Sequence, residues 1–188
     1  MYDLKSIIQQ QQSKRRQKYI YFWGHQPQAD GTLGHSCFSQ WWQAPFVIDD
    51  NVYATAEHYM MAQKALLFND DAIFAKILAA KHPKQVKALG REVGKFDEVV
   101  WQQHRYAIVV AGNLAKFYQH KKLGQYLINT GTRVLVEASP YDKVWGVGLA
   151  KDDERIQNPE QWKGLNLLGF ALMEVRDSLV NQQYPHKT

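Results

Sequence analysis

The chain is poor in the residues that make covalent or metal-held scaffolds. Its single cysteine, Cys37, excludes an internal disulfide and suits a reducing compartment. No motif marks that thiol as a nucleophile, so a buried, inert side chain is its plainer reading. There is no CxxC or HExxH pattern and the seven histidines are dispersed, which leaves no ligand set at metal spacing. His25 and His35 share one loop, but the expectation is that no metal and no cofactor is bound. GxSxG is absent, excluding a nucleophile elbow. GxGxxG and Walker A are absent as well, excluding the common phosphate cradles. No run approaches the roughly 18 apolar residues of a membrane span. The opening "MYDLKSIIQQQQSKRRQKYI" lacks the apolar core of a signal peptide. A cytoplasmic protein with no membrane partner is expected.

What is present is ordinary in bulk and unusual in detail. The 188 residues are 45% hydrophobic and 22% charged, which suits one soluble domain that buries roughly two thirds of its unfolded surface. Aromatics reach 13%, with six Trp and ten Tyr; such rings fill cores and also stack on planar ligands. The net charge of +5 admits an anionic partner. Part of the excess sits in "SKRRQK" and the rest is scattered without a basic, aromatic-interleaved stripe. A solvated charge excess is therefore the plainer reading than a nucleic-acid patch.

Residues 1–18, rich in Gln and basic groups, read as a loose arm or a short exposed helix, and 181–188 as a tail. Between them, 19–180 reads as one helix-rich α+β domain with a few short strands. "YIYFW" (19–23) is β-branched and aromatic, a strand signal. "PFVIDDNVYA" reads as a hairpin around Asp49, Asp50 and Asn51. Thr55 is a cap for a helix over 56–68. Helices follow over 69–80, over 81–90 between Pro83 and Gly90, from Asp97 to about 120, and over 123–129. "RVLVEAS" (133–139) reads as a strand with Arg133, Leu135 and Glu137 on one face. A long Gly- and Pro-bearing loop then leads to a strongly amphipathic last helix.

Three constellations carry candidate chemistry. On helix 56–68, Glu57 and Lys64 lie about 20° apart in projection and roughly 10.5 Å apart along the axis. That is too far for an easy salt bridge, but it suits holding two ends of one ligand. The helix dipole favours an ionised acid in the first turn. Spacing alone favours the plainer reading, an acid placed for helix stability and a solvated lysine. On the long helix, Trp101, Arg105, Ile108 and Gly112 share a face. A Trp beside an Arg stacks a base and pairs with phosphate, although core packing with an outward Arg explains the same spacing. In "VEASPYDKVWGVGL", Glu137 ends a strand and a loop follows with Asp142, Trp145, Gly146 and Gly148. Glycines there let backbone N–H groups approach a ligand.

Taken in order, "CFSQWWQAPFVIDDNVYATAEHYMMAQKA", "ALGREV", "VWQQHRYAIVVAGNLAKF", "LVEASPYDKVWGVGL" and "GLNLLGFALMEVRDSL" resemble the NADAR superfamily, in particular its YbiA-like branch. The resemblance runs from about Tyr19 to Leu179. It implies a mostly helical α+β domain that hydrolyses N-glycosidic bonds, with phosphoribosylated aminopyrimidine intermediates of riboflavin biosynthesis as substrates. Other branches remove or bind ADP-ribose, including ADP-ribose on guanine in DNA. The implied partner is thus a small phosphoribosylated or ADP-ribosylated molecule, with nucleic acid as a possible carrier of the substrate. A non-catalytic ADP-ribose- or NAD-binding module is the alternative from another class.

Carried over by residue, the resemblance makes Glu57 of "AEHYM" the acid, with Asp142 and Glu137 as second-carboxylate candidates. Lys64 and Arg91 stand where phosphate contacts are expected; Arg105 is the further substrate-binding candidate that the spacing on the long helix offers. Trp41, Trp101 and Trp145 wall or stack the heterocycle, and Gly146 and Asn166 position the ligand.

Overall fold

The computed structural model describes residues 2–13 and 17–183. Lys14, Arg15 and Arg16 of the basic arm, and residues 184–188 of the expected tail, lie outside the described residues. The fold is α+β and predominantly helical, as the sequence implied. Its described residues cluster into two compact units: residues 1–39 with 121–188, and residues 40–120. No helix among the described residues is long and apolar enough to cross a membrane.

The contiguous unit opens with a hairpin, β1 of the discontinuous unit having come before it in the chain (Tyr19–Phe22). Strands β2 (Phe46–Ile48) and β3 (Asn51–Tyr53) are antiparallel, with Val47 opposite Val52. Asp49 and Asp50 both take positive φ, 47° and 61°. Two consecutive left-handed residues are the type I′ requirement, whose twist matches that of the strands. Helix α2 (Ala56–Leu67) follows, its Thr55 side chain accepting from the His58 N–H as the cap. Next come α3 (Asp71–Ala79), capped by Asp70, and α4 (Pro83–Leu89), which starts on proline and stops at Gly90. The Asp97 carboxylate accepts from the Val99 and Val100 N–H groups at 2.8 and 3.1 Å and starts α5 (Glu98–Gln119). Side chains of α2, α5 and the hairpin close the core around Phe46, Tyr53 and Tyr59, with ring centroids 5.1 to 6.1 Å apart.

The other unit takes both ends of the sequence. The arm forms a helix, α1 (Leu4–Gln12), with Ile7 buried and the Tyr2 hydroxyl donating to Asp177 at 2.7 Å. Strand β1 pairs in parallel with β4 (Val134–Glu137), from Tyr19 opposite Val134 to Phe22 opposite Glu137. Val134, Leu135 and Val136 are all buried. Burial on both faces is how parallel strands behave, and it replaces the alternation expected along 133–139. Helix α6 (Lys121–Ile128) and the last helix, α7 (Leu167–Gln183), complete this unit. The polar face of the amphipathic α7 is kept in its second half, where Asp177, Asn181 and Gln182 are exposed. Its first half is buried all round, at Leu168, Phe170, Ala171, Leu172 and Met173, and Arg176 turns inward beside Val175 and Leu179. The Arg176 guanidinium donates to Thr130 Oγ1 at 3.0 Å and to the Arg133 carbonyl at 2.8 Å.

Candidate active site

Glu57, Lys64, Arg91, Trp41, Trp101 and Arg105 all belong to the contiguous unit. Glu57 is the second residue of α2, and its backbone N–H donates to the Gln40 carbonyl at 3.0 Å. It is 3% exposed, between Ala56 and His58 at 1% each. A carboxylate that only steadies a helix start has no need to leave water, and burying one is costly. Its burial therefore calls for an explanation beyond helix capping.

Two turns along, the Lys64 Nζ donates to the Gly90 carbonyl at 2.7 Å and stands 4.0 Å from the centroid of the Phe96 ring. The Trp101 ring lies at 5.7 Å. Burial pushes the lysine pKa below its ordinary value, and the Glu98 charge opposes that shift. An ammonium has three donors, so Gly90 uses one of them. Arg105, one turn after Trp101, is 13% exposed in its side chain and sits 3.9 Å from Glu98. Lys64, Phe96 and Trp101 thus form one neighbourhood, a partly buried cation held by aromatic rings, while Arg105 faces Glu98. Phe96 and the Gly90 carbonyl are members the sequence did not single out. Arg91 is exposed and Trp41 half-buried.

Two further polar groups escaped the sequence reading. His58 is 1% exposed, with Nε2 3.1 Å from the Ala80 carbonyl and Nδ1 2.8 Å from Thr55 Oγ1. A carbonyl only accepts, so Nε2 carries the proton and Nδ1 accepts from the threonine hydroxyl. Burial holds this imidazole below its usual pKa. Asn113, wholly buried in α5, donates to the Gln40 side-chain oxygen at 2.8 Å. A polar residue within "IVVAGNLAKF" was a signal of a buried amide, but nothing local named a partner 73 residues away.

Glu137, Asp142, Trp145, Gly146 and Asn166 belong to the discontinuous unit. Asn166 is fully buried at φ 54°. Its side chain donates to the Leu135 carbonyl at 2.9 Å and accepts from the Glu137 N–H at 3.0 Å. It therefore zips onto the edge of β4 as a short third strand would. Asp142 builds the turn that follows, with Oδ1 accepting from the Val144 and Trp145 N–H groups at 2.9 and 2.8 Å. A Cβ on Gly146 would meet the Glu137 and Asp142 carbonyl oxygens at 2.9 and 3.0 Å. Glycine there lets the loop fold back on the strand end, where the Val147 N–H donates to the Glu137 carbonyl at 3.0 Å. Glu137 and Trp145 are half-buried on this frame. Among the described residues, no group of three or more His, Cys, Asp or Glu side chains is arranged to hold a metal ion.

Comparison with known proteins converges on one group. The NADAR domain model matches residues 21–180, running through both units. The chain is 41% identical over 172 residues to the N-glycosidase R617 of Acanthamoeba polyphaga mimivirus, covering 88% of this chain and 98% of that protein. It is 36% identical over 147 residues to the N-glycosidase Npun_R5314 of Nostoc punctiforme, covering 78% and 87%. The N-glycosidase YbiA of Escherichia coli K12 is 31% identical over 144 residues, covering 77% and 79%. The solution structure of E. coli YbiA superposes with a TM-score of 0.71 at 25% identity, covering 93% of this chain and 92% of that one. With most of its length matched in sequence and in fold, the chain belongs to the NADAR family, in its YbiA-like N-glycosidase group.

Proposed function

We propose that the chain hydrolyses the N-glycosidic bond of phosphoribosylated aminopyrimidines, the early intermediates of riboflavin biosynthesis, and releases ribose 5-phosphate. The observation that carries this reading is the carboxylate of Glu57, 3% exposed at the start of the helix that also bears Lys64. When the C1′–N bond breaks, both its electrons leave with the nitrogen and the ribose becomes an oxocarbenium-like cation. A carboxylate withdrawn from water stabilises that charge far more than a solvated one does. It also accepts a proton from the attacking water, whose oxygen bonds C1′, while the departing nitrogen gains a proton. Glu137 and Asp142 are the second-carboxylate candidates, and Asp142 also shapes the loop through its turn. Lys64, with two donors beyond its Gly90 bond, addresses phosphate, with Arg91 and Arg105 as further cations. Trp41, Trp101 and Trp145 wall the heterocycle, and Gly146 and Asn166 fix the loop that carries Trp145.

The test is a mass-spectrometric assay of wild type and Glu57→Gln on two substrates, the phosphoribosylaminopyrimidine and DNA bearing ADP-ribosylated guanine. Ribose 5-phosphate from the first, lost by about 10²–10⁴ in Glu57→Gln at near-normal stability, is the expected result. Lys64→Ala is expected chiefly to raise KM. Release of ADP-ribose from the DNA instead moves the substrate to that branch. Cleavage of neither, with ADP-ribose or NAD bound, makes the chain a binding module. Wild-type rates in Glu57→Gln refute the assignment of the acid.

A further inference from the structure

The Gln40–Asn113 contact is an uneconomical way to join a loop to a helix. Asn113 Nδ2 donates both to the Val109 carbonyl and to Gln40 Oε1, each at 2.8 Å. The Val109 bond fixes which end of the Asn113 amide is nitrogen, and the second bond then fixes the Gln40 amide. In that orientation two polar atoms remain, Gln40 Nε2 and Asn113 Oδ1. Both are buried, and neither has a hydrogen-bond partner among the described residues. Asn113 is 0% exposed and Gln40 7%. Orphaned interior groups of this kind oppose folding, and an apolar pair of the same shape avoids them. Fold stability alone therefore gives no reason for these two amides.

What they are attached to supplies one. The backbone carbonyl of Gln40 accepts the N–H of Glu57 at 3.0 Å, one of the first-turn donors that a helix cannot satisfy internally. The Gln40 side chain is pinned to the middle of α5, and its main chain is pinned to the residue that bears the buried carboxylate. We propose that Gln40 and Asn113 are positioning residues. Through the Gln40 carbonyl they hold the first turn of α2 against α5, so that the Glu57 carboxylate is fixed before substrate arrives. This rests on the role of Glu57 proposed above. Pre-set geometry of a reacting group affects rate steeply, since small displacements cost large factors.

The test uses the full chain with the phosphoribosylaminopyrimidine as probe. Three variants are compared with wild type and with Glu57→Gln: Gln40→Met, Asn113→Leu, and the double Gln40→Met/Asn113→Leu. Each single variant is expected to lower the thermal midpoint and to lower kcat ten- to a hundredfold, with KM within threefold. The double variant removes both orphaned atoms. It is expected to regain the wild-type midpoint or exceed it, while kcat stays at least tenfold down. That split between stability and kcat is the signature of positioning, because a merely structural pair restores both together. Recovery of kcat to within threefold of wild type in the double variant overturns the proposal. So does a double variant that fails to fold, since the pair then serves stability after all. If wild type turns over and Glu57→Gln does not, either result removes this inference alone. Full turnover by Glu57→Gln, or none by wild type, removes the reading of Glu57 and this inference with it.

Discussion

Replacing Gly112 by alanine tests whether α5 sets the position of α2. A Cβ built at Gly112 lands on the ring of Tyr59, with Cε1 and Cγ at 3.1 Å and Cδ1 nearer still. Carbon atoms settle at about 3.5–4.0 Å, so ring and helix must separate by about 1 Å. The ring has no room to swing. It is 7% exposed and lies edge-on to Tyr53 at 5.1 Å and tilted on Phe46 at 6.1 Å. Overpacking of this kind costs about 1–3 kcal/mol, and the alanine returns about 1 kcal/mol of helix propensity. The net loss is about 1 kcal/mol, or roughly 2–4 °C in Tm for a chain of this length. The larger effect is expected in rate. Tyr59 is two residues from Glu57, and a shift of about 1 Å at a reacting group costs about 10²-fold. Thermal denaturation and steady-state kinetics on the phosphoribosylaminopyrimidine measure the two together. A variant with unchanged Tm and a kcat within twofold of wild type would refute the reasoning, because it would show that the interface yields without moving α2.

Asn166→Ala is expected to cost about 2–4 kcal/mol, since the Leu135 carbonyl and the Glu137 N–H both lose a partner in the interior; denaturant titration measures it, and a loss below about 0.5 kcal/mol contradicts the account of β4. His58 predicts a pH dependence of stability. Its pKa in the fold is depressed by burial, so as pH falls the unfolded chain takes up the proton first. Stability is then level above about pH 7 and declines as pH drops below about 6.5. His35 is shifted in the same direction and adds to the decline. Denaturant curves at pH 7.5 and 5.0 should show a smaller decline in His58→Gln than in wild type; equal declines exclude a neutral, buried His58.

The helices were legible because their punctuation is local. Thr55, Asp70, Pro83, Gly90 and Asp97 each act within one turn of where they stand, and the boundaries fall where they point. The hairpin was legible for the same reason, in two residues able to take positive φ. Burial was not. The first turn of α2 reads as one-sided, yet Glu57 and His58 are as buried as Ala56, because α3 and the loop at Gln40 cover faces that no periodicity reveals. The same holds for Arg176, whose inward turn depends on Thr130 and Arg133, more than forty residues earlier. Of the candidate site, the sequence offers candidate residues but not the neighbours that surround them. Lys64 resting on Phe96 and Gly90 comes from contacts between segments far apart in the chain, whereas Asp142 is taken up by a turn within three residues of itself.

The pairing of β1 with β4 also sets a timetable for synthesis. Tyr19 leaves the ribosome long before its partner Val134, roughly 115 residues later. At about 5–20 residues per second the strand waits some 6–23 s. Residues 40–120, a contiguous unit, can gather their own contacts in that interval, whereas "YIYF" stays an unpaired apolar strand until the last third of the chain emerges. The nascent protein is therefore most exposed to aggregation at its beginning, and slower elongation across residues 40–120 would lengthen that exposure without altering a single contact of the finished fold.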